Sequence, residues 1–263
     1  MLRFSVQETI LPGLDIERKW EFAQEVGYSG IELCGGSGLK ERMPELRAAR
    51  KSGVSMTSVC VITDRYIGDF DADRRSDAIQ TMKTLLSVVG EIGGRGAITP
   101  AAYGLHSNFL PPFVSPRSPE EDRAVLLDAL GLLGDHARQE GVCVYFEPLN
   151  RYEDHMVNTL EQGVALCSEL GHPAVRLMAD LFHMGIEERD SASAIRDAKE
   201  WLGHVHIADS NRRQPGRGRG DFSAPLKALE DIGFDGYGAV ECIVEGEPKE
   251  ALRAAFSVLA KSR

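Results

Sequence analysis

The sequence predicts an α/β protein built as a single (β/α)8 barrel, the TIM-barrel architecture, over residues 1–263. Three observations predict it. Eight short apolar runs alternate with about eight stretches of helical spacing. Strands separated by single helices must run parallel, because each helix carries the chain back to the starting edge. Eight such units in 263 residues match the size of a closed barrel, typically about 250 residues. An open doubly wound sheet is the alternative. Against it, no Gly-x-Gly-x-x-Gly opens a helix after the first strand.

The elements follow in order. Arg3–Val6 reads as a short strand, and Ile16–Glu25 has helical spacing that ends near Gly27. Ser29–Leu33 is the second strand, closed by Gly35, Gly36 and Gly38. Lys40–Ser52 reads as a helix, Val54–Ile62 as a strand and Ala72–Ile92 as a long charged helix. Gly96–Thr99 is a strand stopped by Pro100. Pro119–Glu140 is a helix capped by Gly141. Val142–Glu147 is a strand ended by Pro148. The rhythm then repeats through helix Thr159–Leu170, strand Val175–Asp180, helix Ser191–Ala198, strand Leu202–Ala208, helix Ala224–Ile232, strand Tyr237–Ile243 and helix Glu247–Ala260. No linker rich in Pro, Gly or Ser divides the chain, so one domain is expected.

Composition narrows the partners. Net charge is -10, whereas a nucleic-acid-binding surface usually shows a basic excess. No nucleic-acid partner is expected. No run approaches the roughly 20 apolar residues of a membrane span, and Met1–Gly13 lacks the basic and apolar pattern of a signal peptide. The five cysteines are odd in number and form no Cys-x-x-Cys. That suits the reducing cytoplasm, with the thiols buried as small apolar groups. A homo-oligomer, dimer or tetramer, is the expected assembly.

In this architecture the strand C-termini carry the chemistry. The fifth strand ends in Glu147, the sixth in Asp180, the seventh carries His204 and His206, and the eighth carries Glu241. Side chains alternate along a strand. The pairs Tyr145 and Glu147, Met178 and Asp180, His204 and His206, and Ala239 and Glu241 therefore each share a face. If these faces point into the barrel, three carboxylates and an imidazole converge at one layer. Such a set repels itself unless a cation lies between its members. An oxygen-rich set with one nitrogen suits Mn2+, Mg2+ or Co2+ better than a structural zinc. A lone Glu near a strand end is usually a surface residue or an arginine's partner. Four such residues on four successive strands form a pattern that surface placement does not explain. His204 lies two residues deeper, and a satisfied interior histidine is expected there.

These residues resemble a known family. Phe146-Glu147-Pro148-Leu149-Asn150-Arg151-Tyr152-Glu153 resembles a signature of the ketose 3-epimerases, the D-tagatose and D-psicose 3-epimerase family. Asp180-Leu181-Phe182-His183-Met184 resembles their sixth-strand motif. His204-Val205-His206 with Ser210-Asn211-Arg212 resembles their seventh-strand loop, and Glu241 resembles their last ligand. The intervals of 33, 26 and 35 residues between Glu147, Asp180, His206 and Glu241 fit the same layout. That family belongs to the xylose isomerase-like barrels, a superfamily of sugar phosphate isomerases and epimerases. The first half matches less closely. Those epimerases tend to carry aromatics after strand one, whereas Gln7–Gly13 has none.

The resemblance implies that Glu147, Asp180, His206 and Glu241 bind one divalent metal, Mn2+ first. It implies that Glu153, His183 and Arg212 bind a small-molecule sugar. It further implies C3 epimerisation of a ketose through a metal-stabilised enediolate, with Glu147 and Glu241 as the acid and base. Rival activities on the same centre are an aldose–ketose or hydroxypyruvate-type isomerase, and a lyase acting on an oxidised sugar or C-glycoside. A non-catalytic sugar-binding barrel is the rival of another class. Arg213, Arg217 and Arg219 are expected on a solvated loop.

Overall fold

The computed structural model describes residues 2–107 and 114–262. Eight parallel strands close on themselves in sequence order. They are β1 (Arg3–Gln7), β2 (Ile31–Gly35), β3 (Met56–Val61), β4 (Gly96–Pro100), β5 (Cys143–Glu147), β6 (Val175–Asp180), β7 (Leu202–Ile207) and β8 (Tyr237–Val240). β1 closes the barrel against β8, with Phe4 opposite Gly238 and Val6 opposite Val240.

The helices are α1 (Ile16–Glu25), α2 (Met43–Lys51), α3 (Ala72–Ile92), α4 (Pro119–Glu140), α5 (Leu160–Leu170), α6 (Leu181–Glu187), α7 (Ser191–Asp197), α8 (Ser223–Asp231) and α9 (Pro248–Lys261). Their ends follow local chemistry. Ser118 and Glu121 form a reciprocal capping box at the start of α4, and Gly141 ends that helix at φ 70°. Asp71 caps α3 by accepting from the backbone N–H groups of Asp73 and Arg74.

Strand alternation sorts the core into two parts. Phe4, Val6, Ile31, Leu33, Val144, Phe146, Leu177, Val205 and Ile207 are buried in the large apolar cluster that also takes in the helices. Ile98, Tyr145 and Met178 form a small separate cluster. The Tyr145 ring stacks on His204 with centroids 5.1 Å apart. The other residues of that inner alternation include Gln7, Glu32, Ser58, His204 and His206, all buried. One part of the barrel interior is therefore apolar and the other is a polar network.

Several elements differ from the sequence expectation: β2 runs Ile31–Gly35 where Ser29–Leu33 was expected, and β4 includes Pro100, which was expected to stop it. The stretch expected as one helix over Lys40–Ser52 is a 3-10 segment, Ser37–Arg42, followed by α2. Pro44 lies in the first turn of α2. It has no N–H to donate, and in a longer α-helix its ring would meet the Lys40 carbonyl. The eighth strand ends at Val240, three residues short of the expected Ile243. Glu241 still donates its backbone N–H to Ile207 O at 3.2 Å, but Ile243 turns away and donates to Arg212 O at 2.8 Å. The short helix α6 was not expected. Cys34, Cys60 and Cys143 are only half-buried, while Cys167 and Cys242 are buried as expected. No helix among the described residues is long and apolar enough to cross a membrane.

Candidate active site

The four strand-end residues meet. Asp180 of β6 and His206 of β7 are register partners. His206 Nδ1 lies 3.2 Å from Glu241 Oε2 and 3.8 Å from Glu147 Oε1. Asp180, His206 and Glu241 place one donor atom each within 4.8 Å of one another, and so do Glu147, Asp180 and His183. Side chains on separate strands, 33, 26 and 35 residues apart, thus share one layer because the barrel sets their strands at a common register.

Asp180 has two tasks. It ends β6 and caps α6, with Oδ1 accepting from Phe182 N at 2.7 Å. Its other oxygen, Oδ2, faces the site, 3.5 Å from His183 Nε2. The first turn of α6 is what places His183 three residues on and beside it.

The tautomer of His183 follows from its partners. The backbone N–H of Asn150 donates to His183 Nδ1 at 3.2 Å, and the Asn150 amide stands 2.7 Å from the same atom. A backbone N–H can only donate, so Nδ1 accepts, and this shorter pair of contacts outweighs the 3.5 Å approach of the donor Arg212 Nη1 to Nε2, which leaves the proton of neutral His183 on Nε2. Burial lowers the His183 pKa and favours that neutral ring. Nε2 lies 3.7 Å from Glu153 Oε2 and 3.9 Å from Glu147 Oε1. A protonated nitrogen cannot ligate a cation, so the geometry suits His183 to hydrogen bonding instead.

Arg212 closes the ring of charge. Its Nη1 donates to Asp180 Oδ2 at 2.9 Å and its Nη2 to Glu241 Oε2 at 2.6 Å. The guanidinium lies over the Phe182 ring, 4.7 Å from its centroid. Arg212 adopts φ 60°, a left-handed conformation that a non-glycine residue rarely takes. Two backbone bonds hold it there: its N–H donates to Asp209 O and its carbonyl accepts from Ile243 N, both at 2.8 Å. Arg217 and Arg219 on the same loop are exposed, and Arg213 pairs with Glu245 at 3.6 Å.

The electrostatics separate the two glutamates. Burial pushes the Glu147 carboxyl well up, and the nearby Asp180 and Glu241 charges add to that. Burial also acts on Glu241, but His206 and Arg212 outweigh it and hold this carboxyl below its usual range. Burial would lower the His206 pKa, yet Glu32 and Glu241 raise it well above the ordinary value. Neither His206 nitrogen makes a well-directed hydrogen bond, although both are buried. Three inward carboxylates, an imidazole without directed partners and a common layer fit a divalent cation.

Sequence reasoning missed Gln7, Glu32 and Asn150. Glu32 is fully buried and its Oε2 is 2.8 Å from His204 Nε2. That contact satisfies His204 as expected. Glu32 is an acidic residue in the apolar run Ile31–Leu33, and that oddity was the signal available.

An eight-stranded barrel with an inward carboxylate and imidazole centre defines a class of enzyme. The chain belongs to the xylose isomerase-like TIM barrel family, whose model matches residues 20–262. It is 38% identical over 247 residues to the 3-dehydro-D-guloside 4-epimerase of Escherichia coli, spanning 93% of this chain and 94% of that one. It is 38% identical over 230 residues to the D-psicose 3-epimerase of Agrobacterium fabrum, spanning 86% and 78%. A crystal structure of 3-keto-D-glucoside 4-epimerase from Escherichia coli, apo form, superimposes with a TM-score of 0.93 at 36% identity, covering 99% of this chain and 100% of that one. These relatives are sugar epimerases, and the protein is an enzyme of the isomerase class.

Proposed function

We propose that this enzyme inverts a carbon next to the ketone of a sugar, using Glu147 and Glu241 as the two acid–base groups. The observation that carries the proposal is their common relation to His206. From β5 and from the end of β8, both carboxylates come within 4 Å of the one nitrogen, Nδ1. Epimerisation needs a base on one face of the carbon and an acid on the other, and two carboxylates on different strands supply both. One glutamate takes the proton α to the ketone; the other returns a proton from the opposite side. Positioned acid–base catalysis of this kind is worth about 10²–10⁴-fold. His183 Nε2–H and the Arg212 guanidinium donate hydrogen bonds to the oxygen on which negative charge develops. Glu153 accepts from a sugar hydroxyl.

Glu147, Asp180, His206 and Glu241 would hold one divalent cation, Mn2+ ahead of Mg2+ or Co2+. When bound, it polarises the ketone as a Lewis acid. A cytoplasmic, homo-oligomeric enzyme without a nucleic-acid partner belongs to the same proposal; five free thiols support the compartment and a net charge of -10 speaks against a nucleic-acid partner.

Two substrates present the same carbon to the site. C4 of a 3-keto-hexoside is the first reading, because the relative named for that chemistry matches this chain over 94% of its own length, against 78% for the D-psicose 3-epimerase. C3 of a free ketose is the second, supported by the motifs around Glu147, Asp180 and His206. The test is NMR in deuterium oxide with Mn2+, using 3-keto-glucosides, 3-keto-gulosides and ketohexoses, with a chelated control. Chelator-sensitive deuterium uptake at C4 of the keto-hexoside is expected. Uptake at C3 of a ketose selects the second substrate. Aldose formation identifies an isomerase instead. A panel in which no carbon exchanges sinks the proposal, and Glu147→Gln must abolish any exchange that is seen.

A further inference from the structure

Beneath the four converging residues lies Glu32, on β2. It is fully buried, and each of its oxygens meets two donors. Oε1 accepts from Gln7 Nε2 at 3.1 Å and faces His206 Nε2 at 2.8 Å. Oε2 accepts from Ser58 Oγ at 2.7 Å and lies 2.8 Å from His204 Nε2. Gln7 then continues upward, because the same Nε2 donates to Glu241 Oε1 at 2.9 Å. One carboxylate thus touches side chains from β1, β3 and β7 and reaches the end of β8 through Gln7.

We infer that Glu32 is a positioning residue that fixes which nitrogen of His206 and which oxygen of Glu241 face the centre. The Glu32 charge 2.8 Å away favours a proton on that nitrogen, although the approach is a close ion pair and not a well-directed hydrogen bond. The lone pair of a neutral His206 then lies on Nδ1, the nitrogen beside Glu241 and Glu147. The Gln7 amide engages Glu241 Oε1, which leaves Oε2 to the centre. A carboxylate behind a ligating histidine orients the ring, sets its tautomer and raises its basicity. The inference rests on the proposal that His206 and Glu241 hold a cation. Glu32 itself would not touch cation or substrate.

The test measures Mn2+ affinity by calorimetry, independently of turnover. Glu32→Ala removes the acceptor and is expected to weaken Mn2+ binding by about 10–100-fold, the range for lost second partners of metal ligands. Glu32→Gln guards against a variant that fails to fold. Its carboxamide can keep an oxygen toward His206 by turning its nitrogen to Ser58, whose hydroxyl can accept. It is therefore expected to bind more weakly than wild type but better than Glu32→Ala. In the Mg2+-loaded wild type, nitrogen-15 NMR is expected to find the His206 proton on Nε2. A proton on Nδ1, or Mn2+ affinities within about threefold of wild type in both variants, overturns the inference. Two Mn2+ ions per wild-type chain, with one lost in both variants, also overturns it, since Glu32 would then be a ligand with His204 and His206. A wild-type protein that binds no Mn2+ fails at the earlier proposal, so the two failures are distinguishable.

Discussion

Arg212 Nη2 donates to Glu241 Oε2 at 2.6 Å, and that same oxygen stands 3.2 Å from His206 Nδ1. The guanidinium therefore shares its carboxylate with the centre, and it shares Asp180 Oδ2 in the same way. A bound cation and Arg212 must divide these two oxygens. Arg212→Met keeps an apolar stem over Phe182 but removes the like charge. It is expected to tighten Mn2+ binding about threefold or more, an effect limited by solvent screening. The same substitution is expected to lower kcat/KM by about 10²–10³-fold through loss of a donor to developing charge. Weaker Mn2+ binding in the variant would show instead that Arg212 organises the carboxylates.

Cation binding should depend on pH. Without a cation, His206 is held protonated by Glu32 and Glu241, and burial keeps Glu147 protonated well above its usual range. Both protons must leave before these groups can ligate. Mn2+ affinity is therefore expected to rise with pH across the range in which the protein stays folded, with release of about one to two protons per ion. Calorimetry in buffers of different ionisation enthalpy counts those protons. An affinity flat across that range would contradict the assignment.

His183 offers a kinetic test of its tautomer. Replacing it with Ala removes the Nε2 donor, and kcat is expected to fall about 10²–10³-fold. Asn150→Ala removes only the side-chain partner, since the backbone N–H of residue 150 still reaches Nδ1. A loss of about tenfold in kcat is expected there, on the scale of outer partners of site residues. If Asn150→Ala matches the larger loss, the side-chain amide rather than the backbone fixes the ring.

Asp154, outside the centre, predicts a stability profile. It is buried, its Oδ1 accepts from His155 N at 2.7 Å, and its Oδ2 has no hydrogen-bond partner. Burial pushes its pKa up to about 7 from 3.8. The folded state therefore holds a proton that the unfolded state releases near pH 4. The stabilisation from that proton is full at low pH and disappears as pH rises through about 7. Relative to Asp154→Asn, the wild type is expected to lose up to about 4 kcal/mol between pH 4 and pH 8, at 1.36 kcal/mol per unit. Urea unfolding of both chains with chelator present measures it. Parallel pH profiles would refute the assignment.

Much of this was legible in the sequence. The alternation of strands and helices gave the barrel, because side-chain periodicity and helix caps are local. Glu147, Asp180 and His206 stood out because each closes or nearly closes an apolar run at a strand end. His204 was readable as an interior residue from its place two residues deeper. Less legible were features that depend on competing local signals. The break at Met43 came from Pro44, whose effect on the Lys40 carbonyl a periodicity count overlooks. The helix α6 was hidden in a motif because its cap, Asp180, also reads as a strand end.

The sequence by itself determined which residue types stand at each strand end, and hence the oxygen-rich character of the centre. It could not determine how they are held. That Glu32 on β2 faces His206, 174 positions further along the chain, that Gln7 joins Glu32 to Glu241, and that Arg212 reaches both Asp180 and Glu241 were decided by closure of the barrel. Closure joins β1 to β8 and turns the inner side chains of distant strands toward one another. Hydrogen bonds between such residues depend on that three-dimensional register, and no spacing along the chain encodes it.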